Sequence, residues 1–219
     1  MSDLEFESRC YKIILLEKLL GSLPKNKELF RKYVQEKYFG NSKDLTDEDP
    51  EQLDEQEMQQ QIEQKMTPDG DNETGFYTDP DGIYLKAYQI KGFLKEAGNV
   101  LKESLKIKNL KSKIDNYVFV EPDWIWLKEH PDGTLQRPLR AMTPQGPRVS
   151  LVSSDYIEPM SFEVKITLLP HKELNFKVIE ALLDYGKFKG LGQWRNAGYG
   201  RFKWERIKEK KKRSKGEVK

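Results

Sequence analysis

The sequence is short of the residues that most often mark an enzyme: its 219 positions include one cysteine, Cys10, and two histidines, His130 and His171. A lone thiol excludes a disulfide within the chain and suits a reducing compartment, so a cytoplasmic protein is expected. Both histidines adjoin a proline and neither has a serine or cysteine neighbour that would form a nucleophile and base pair. The expectation leans against catalysis, with no catalytic residue assigned. Long apolar runs are also missing. Ile13-Ile-Leu-Leu16 falls well short of the roughly 20 residues a membrane helix needs, and the acidic opening of the chain does not resemble a secretory signal. Nor is there a large excess of one charge: 38 Lys and Arg stand against 36 Asp and Glu, a formal net charge of +2, so no global field draws in nucleic acid.

What is present is enough for one substantial core, with 37% hydrophobic and 11% aromatic residues. Charge is segregated along the chain. The stretch from Asp44 to Glu63 is acidic and glutamine-rich, whereas Lys203 to Lys219 is basic. We expect a single domain over residues 1–207, an acidic insertion at about 41–75 and a flexible basic tail over 208–219. Such an insertion reads as a solvated linker, or as an acidic mimic that shields a basic groove. Asp69-Gly-Asp-Asn-Glu73 has the alternating acids of a calcium loop but misplaces its glycine and its distant glutamate. No metal and no cofactor is assigned.

Periodicity supplies the elements. Tyr11 to Leu16 predicts a strand, and Asn26 caps a helix over Lys27 to Tyr38. A Met58, Ile62, Met66 series supports a short helix. Phe76 to Tyr88 reads as a hairpin, and Ile90 to Leu105 as an amphipathic helix with Lys91, Lys95 and Lys102 off its apolar stripe. Tyr117 to Val120 and Trp124 to Leu127 are strands parted by Pro122, with Trp124 and Trp126 on one face. The stretch holding Arg137, Arg140 and Arg148 shows no regular pattern and is expected to be a functional loop. Ser161 to Leu168 alternates cleanly as a strand, Leu174 to Tyr185 predicts a helix, and Tyr199 to Ile207 a last strand. This order fits an α+β, ferredoxin-like antiparallel sheet with two packing helices and insertions.

Between that helix and the last strand, Gly186 to Phe202 packs five glycines, four basic side chains and four aromatics into 17 residues. Glycines can leave amides open to an anion, and arginines and flat rings suit phosphates and unstacked bases. A glycine-rich turn over ordinary core aromatics is the alternative.

Ile90-Lys-Gly-Phe-Leu-Lys95, together with Gly190-Leu-Gly-Gln-Trp-Arg-Asn-Ala-Gly-Tyr-Gly-Arg201, resembles the RAMP superfamily. These are CRISPR-associated RNA-binding proteins built on ferredoxin-like domains, whose backbone subunits carry an I-x-G-x-x-L-K-G helix start and a C-terminal G-loop. Here Glu96 stands where the helix motif ends in glycine. The chain is also similar to phage and prophage proteins sharing the Gly-Leu-Gly-Gln-Trp-Arg-Asn run, a likeness that names no function.

The resemblance implies a non-catalytic protein that binds single-stranded nucleic acid, RNA first and DNA second, with a homo-oligomer or filament along the strand as a further expectation. It implies phosphate contacts from Lys187, Lys189, Arg195 and Arg201 around Gly190, Gly192, Gly198 and Gly200. Lys91 and Lys95 would line the same groove, and Arg137, Arg140 and Arg148 would extend it. Trp194 and Tyr199 are stacking candidates, with closure of the core the competing role for Trp194. Some RAMP ribonucleases use a histidine near the first helix, which this chain lacks. Others cut through a loop aspartate, and no motif selects Asp44, Asp47 or Asp49. The alternative is a phage-encoded interaction factor that engages or inhibits a CRISPR or replication complex.

Overall fold

The computed structural model describes residues 6–25, 73–143 and 146–207. The expected helix over Lys27 to Tyr38, the Met58 to Met66 helix, most of the acidic insertion and the basic tail lie outside the described residues.

One four-stranded sheet organises the fold. It is built from β1 (Glu7–Leu15), β7 (Val118–Glu121), β11 (Ser161–Leu168) and β12 (Phe202–Ile207), in the spatial order β12-β1-β11-β7. Each neighbouring pair is antiparallel. Numbering these strands one to four along the chain gives the order 4-1-3-2, with helices α1 (Ala87–Leu101) and α3 (Phe176–Asp184) in the two crossovers. That is the split βαβ arrangement of a ferredoxin-like α+β fold. Alternation decides which face meets the helices: Tyr11, Ile13 and Leu15 of β1 and Phe162, Val164, Ile166 and Leu168 of β11 are buried. Ile90, Phe93, Leu94 and Ala97 of α1 and Val178, Ile179, Leu182 and Leu183 of α3 meet them in one core. Asn175 starts α3 by accepting the Val178 N–H at 3.2 Å, and Gln89 Oε1 accepts the Lys86 N–H at 3.0 Å at the start of α1.

Two smaller sheets are built from the strands between β1 and β7 and between β7 and β11. One joins β2 (Leu19–Leu20), β3 (Leu23–Pro24), β4 (Glu73–Gly75), β9 (Gly133–Thr143) and β10 (Gly146–Ile157). The other joins β5 (Tyr77–Asp79), β6 (Gly82–Lys86) and β8 (Trp124–Lys128). The β5–β6 hairpin and the outward pair Trp124 and Trp126, with Ile125 and Leu127 inward, match the sequence pattern.

Several expectations are corrected. The region of Arg137, Arg140 and Arg148 is no loop but the long β9–β10 hairpin, with Val152 opposite Arg137, Val149 opposite Arg140 and Ala141 opposite Arg148. The basic stretch before Tyr117 forms a further helix, α2 (Leu110–Tyr117), held by the buried pair Leu110 and Ile114. It can approach α1 because Gly98 lacks a Cβ, which would lie 2.5 Å from Ile114 Cδ1. Residues 73–75, assigned to the end of the insertion, form β4 with Thr74 buried. The last strand starts at Phe202, leaving Tyr199 in the preceding loop.

A polar group inside the main sheet adds rigidity. Tyr11 donates its hydroxyl to Glu180 Oε1 at 3.1 Å, Arg9 pairs with the same oxygen at 3.0 Å, and the Arg9 guanidinium lies 4.3 Å from the Phe176 ring centre. Burial, and then the adjacent Glu180 charge, holds the Tyr11 pKa well above the ordinary tyrosine value. The folded state therefore retains that proton. This contribution is complete below about pH 10, the unfolded value, and drains away as pH climbs toward the folded value. Replacing Tyr11 with Phe is expected to lower stability by about 1–2 kcal/mol at neutral pH, from the lost bond to a charged acceptor. It should also flatten the alkaline fall of the melting temperature, measured by circular dichroism across pH.

Candidate nucleic-acid interface

The glycine-rich loop leaves α3 through a short 3-10 turn at Tyr185–Lys187 and folds back on itself. Gly192, Gly198 and Gly200 have φ of +71°, +90° and +69°, in the left-handed region that side chains resist. Trp194 adopts the same region at +56°. The amides are turned inward: Leu191 donates to Gly200 O at 3.0 Å, Gln193 to Leu20 O at 3.1 Å, and Gly200 to Lys18 O at 2.8 Å. Ala197 and Gly198 donate to Trp194 O and Arg195 O, both at 3.0 Å. These five groups satisfy carbonyls of the protein itself, so they do not form an open cradle for an anion.

Side chains tie the loop to the second sheet. Gln193 is buried, and its Oε1 accepts from Thr74 Oγ1 of β4 and Ser154 Oγ of β10, each at 2.8 Å. The two hydroxyls are themselves 2.8 Å apart. Sequence reading missed this triad, because its members are far apart in the chain and only the glycines around Gln193 drew notice.

The predicted cations fall into two groups. Around the loop, Lys189 and the buried Arg195 share one carboxylate, Glu96 of α1, with Lys189 at 2.6 Å. Lys187 pairs with Asp184 at 2.8 Å on the surface, and Arg201 meets Glu17 at 2.8 Å and Gly198 O at 3.1 Å. Arg137 of β9 is buried and sets its guanidinium 4.5 Å from the Trp194 ring centre, while Trp194 stacks on Tyr199 at 5.3 Å with the planes 9° apart. The structure thus brings Arg137, Trp194 and Tyr199 into one stack and Lys189 and Arg195 onto Glu96, with Arg201 turned back onto Gly198 O and Lys187 left beside Asp184 at the end of α3. Lys91 and Lys95 turn instead toward Asp115 of α2, at 3.7 and 3.2 Å. Partial burial lowers the Lys91 pKa, opposed by Asp115. Arg140 and Arg148 lie farther along the hairpin from Arg137, toward its turn.

The open face of the main sheet offers a different chemistry. It presents Ser8, Cys10, Lys12 and Ile14 of β1 and Glu163, Lys165 and Thr167 of β11, with Phe119 on the edge strand β7. An RNA-recognition sheet stacks bases on aromatics of its central strands, and these strands have none there. His130 is exposed; His171 packs against Tyr117 at 4.7 Å and uses Nδ1 to accept the Glu173 N–H. Among the described residues no cluster of three or more His, Cys, Asp or Glu is placed to hold a metal ion, and no helix is long and apolar enough to cross a membrane.

No family model and no curated protein matches the chain. Among solved structures it is similar to a cryo-EM structure of the Type III-B Cmr-beta bound to cognate target RNA, with a TM-score of 0.46 and 13% identity, over 93% of this chain. The chain spans 61% of the length of that one.

Burial separates the roles of the loop cations. The Arg195–Glu96 pair is 7% and 11% exposed, whereas Lys187–Asp184 is 50% and 54% exposed. Arg195→Ala is expected to cost about 1.5–3 kcal/mol, because Glu96 loses its buried partner and keeps only Lys189. Lys187→Ala should cost less than about 1 kcal/mol, both read by urea denaturation.

Proposed function

We infer that this chain binds single-stranded nucleic acid, RNA in preference to DNA, on the surface formed by the glycine loop and the base of the β9–β10 hairpin. The observation that carries the reading is the Arg137–Trp194–Tyr199 stack, in which two partly exposed rings of the loop meet a guanidinium from β9. Unpaired bases stack on such rings whatever their identity, and the single strand alone leaves its base faces open to them. Arg201, which bonds Gly198 O beside Tyr199, and Lys187, at the start of the loop, are exposed enough to reach phosphates. At Glu96 two cations face one carboxylate, so the loop retains a positive surplus.

Affinity on this surface would be backbone-led and independent of sequence, because none of these groups is arranged to read a base edge. The chain then acts as a holder of the strand, and no residue is assigned to cleavage. Association with CRISPR or phage replication proteins, and assembly along the strand, would be built on that binding.

The test is fluorescence anisotropy with a labelled oligouridine of about 16 nucleotides, long enough for one domain to cover. Binding should weaken steeply as salt rises, and the Lys187→Ala, Arg201→Ala double variant should flatten the log–log salt slope by about 1.4. Tyr199→Ala should weaken binding about tenfold without changing the slope. The deoxy strand is expected to bind more weakly. Absence of binding by the wild-type protein at low salt would remove this reading.

A further inference from the structure

A groove of about 850 Å³ runs between the β7 edge of the main sheet and the small β5-β6-β8 sheet, past the first turns of α1. Its walls are unusual for a surface groove. On one side Tyr77, Tyr84 and Trp124 stack in series across three strands, with centres 5.5 and 5.2 Å apart and planes tilted by 20° and 19°. Trp126 meets Trp124 edge-on at 6.1 Å. Tyr84 is covered by its neighbours, but the series ends on Trp124, which is 46% exposed. On the other side Phe119 is 45% exposed, with Lys91 Nζ 5.3 Å from its ring centre. Soluble proteins seldom leave several large rings open together without a partner.

We propose that this groove is a second segment of the nucleic-acid path, in which a base continues the Tyr77–Tyr84–Trp124 series and its phosphates meet Lys86, Lys91 and Lys165. The inference rests on the single-strand binding proposed above and extends it to a surface on the far side of α1. Charge and shape favour this occupant over a proline-rich peptide, which also docks on aromatic grooves. Three lysines line the groove against two carboxylates, Glu121 and Asp123. Lys86 Nζ lies 5.2 Å from the Tyr77 ring centre, so cation and stacking surface adjoin as a nucleotide requires. Glu121, paired with Lys165 at 2.8 Å, and Asp123 offer acceptors to the amino edges of bases.

The experiment uses the full chain and labelled oligouridine. Trp124→Ala and Phe119→Ala should each weaken binding about tenfold with the salt slope unchanged, Trp124→Phe should restore most of the loss, and Lys86→Ala should lower the slope by about 0.7. Both rings are surface-exposed, and melting curves check that the variants fold; should Trp124→Ala melt early, Phe119→Ala on the opposite wall decides. Wild-type affinity in both ring variants would overturn the groove and leave the glycine-loop surface standing. No binding by the wild-type protein would overturn both. Capture of a labelled proline-rich peptide by the wild-type protein but not by Trp124→Ala, with oligouridine affinity unaffected, would assign the groove to protein partners instead.

Discussion

The backbone at Gly190 lies so close to that at Gly200 that a Cβ on the first would stand 2.0 Å from the second's carbonyl carbon, and a Cβ on Gly200 would stand 2.0 Å from Leu191 O. Any side chain at either position would push the strands of the loop apart. With that contact made, the loop becomes a closed unit that reaches four parts of the molecule at once. Its backbone holds the turn after β1, Gln193 holds β4 and β10, Arg195 and Lys189 hold α1, and Trp194 meets Arg137 of β9. These partners span most of the described chain. The position of the hairpin relative to the main sheet therefore depends on a contact that involves no side chain.

Electrostatics follows from the same closure. A cation-rich loop folded onto a low-dielectric surface must find carboxylates, and Glu96 supplies the most buried one. Arg195 is thereby committed to structure, and charge available to a ligand shifts outward to Lys187 and Arg201. The strong pair and the useful cations are different residues.

How far the sequence was legible follows from where constraint lies. β11 and α3 bury one face each against the core, so their spacing had to repeat, and α1 carried the same stripe. β9 escaped notice because it pairs chiefly with β10 and includes Pro138, so no apolar alternation is demanded of it. α2 escaped because two buried residues, Leu110 and Ile114, suffice to dock so short a helix, and mostly polar residues fill the rest. For the site, residue types were legible but not their partners. Trp194, Tyr199 and Arg137 could be nominated singly. That they meet, and that Lys91 and Lys95 turn toward Asp115, depends on tertiary distances that no local pattern encodes.

α1 links the two surfaces. Ala87, Tyr88 and Lys91 line the aromatic groove near its start, while Glu96 fastens the glycine loop about 12 Å farther along the axis at the helical rise. A helix packed on the sheet by Ile90, Phe93, Leu94 and Ala97 holds that separation fixed. Two modest sites at a fixed spacing bind a flexible strand more tightly than either alone, because the second engagement is intramolecular. Under the proposed binding the two surfaces would act alike: each sets an aromatic ring beside cations that are tempered by exposed carboxylates, Asp184 and Glu17 at the loop and Glu121 in the groove.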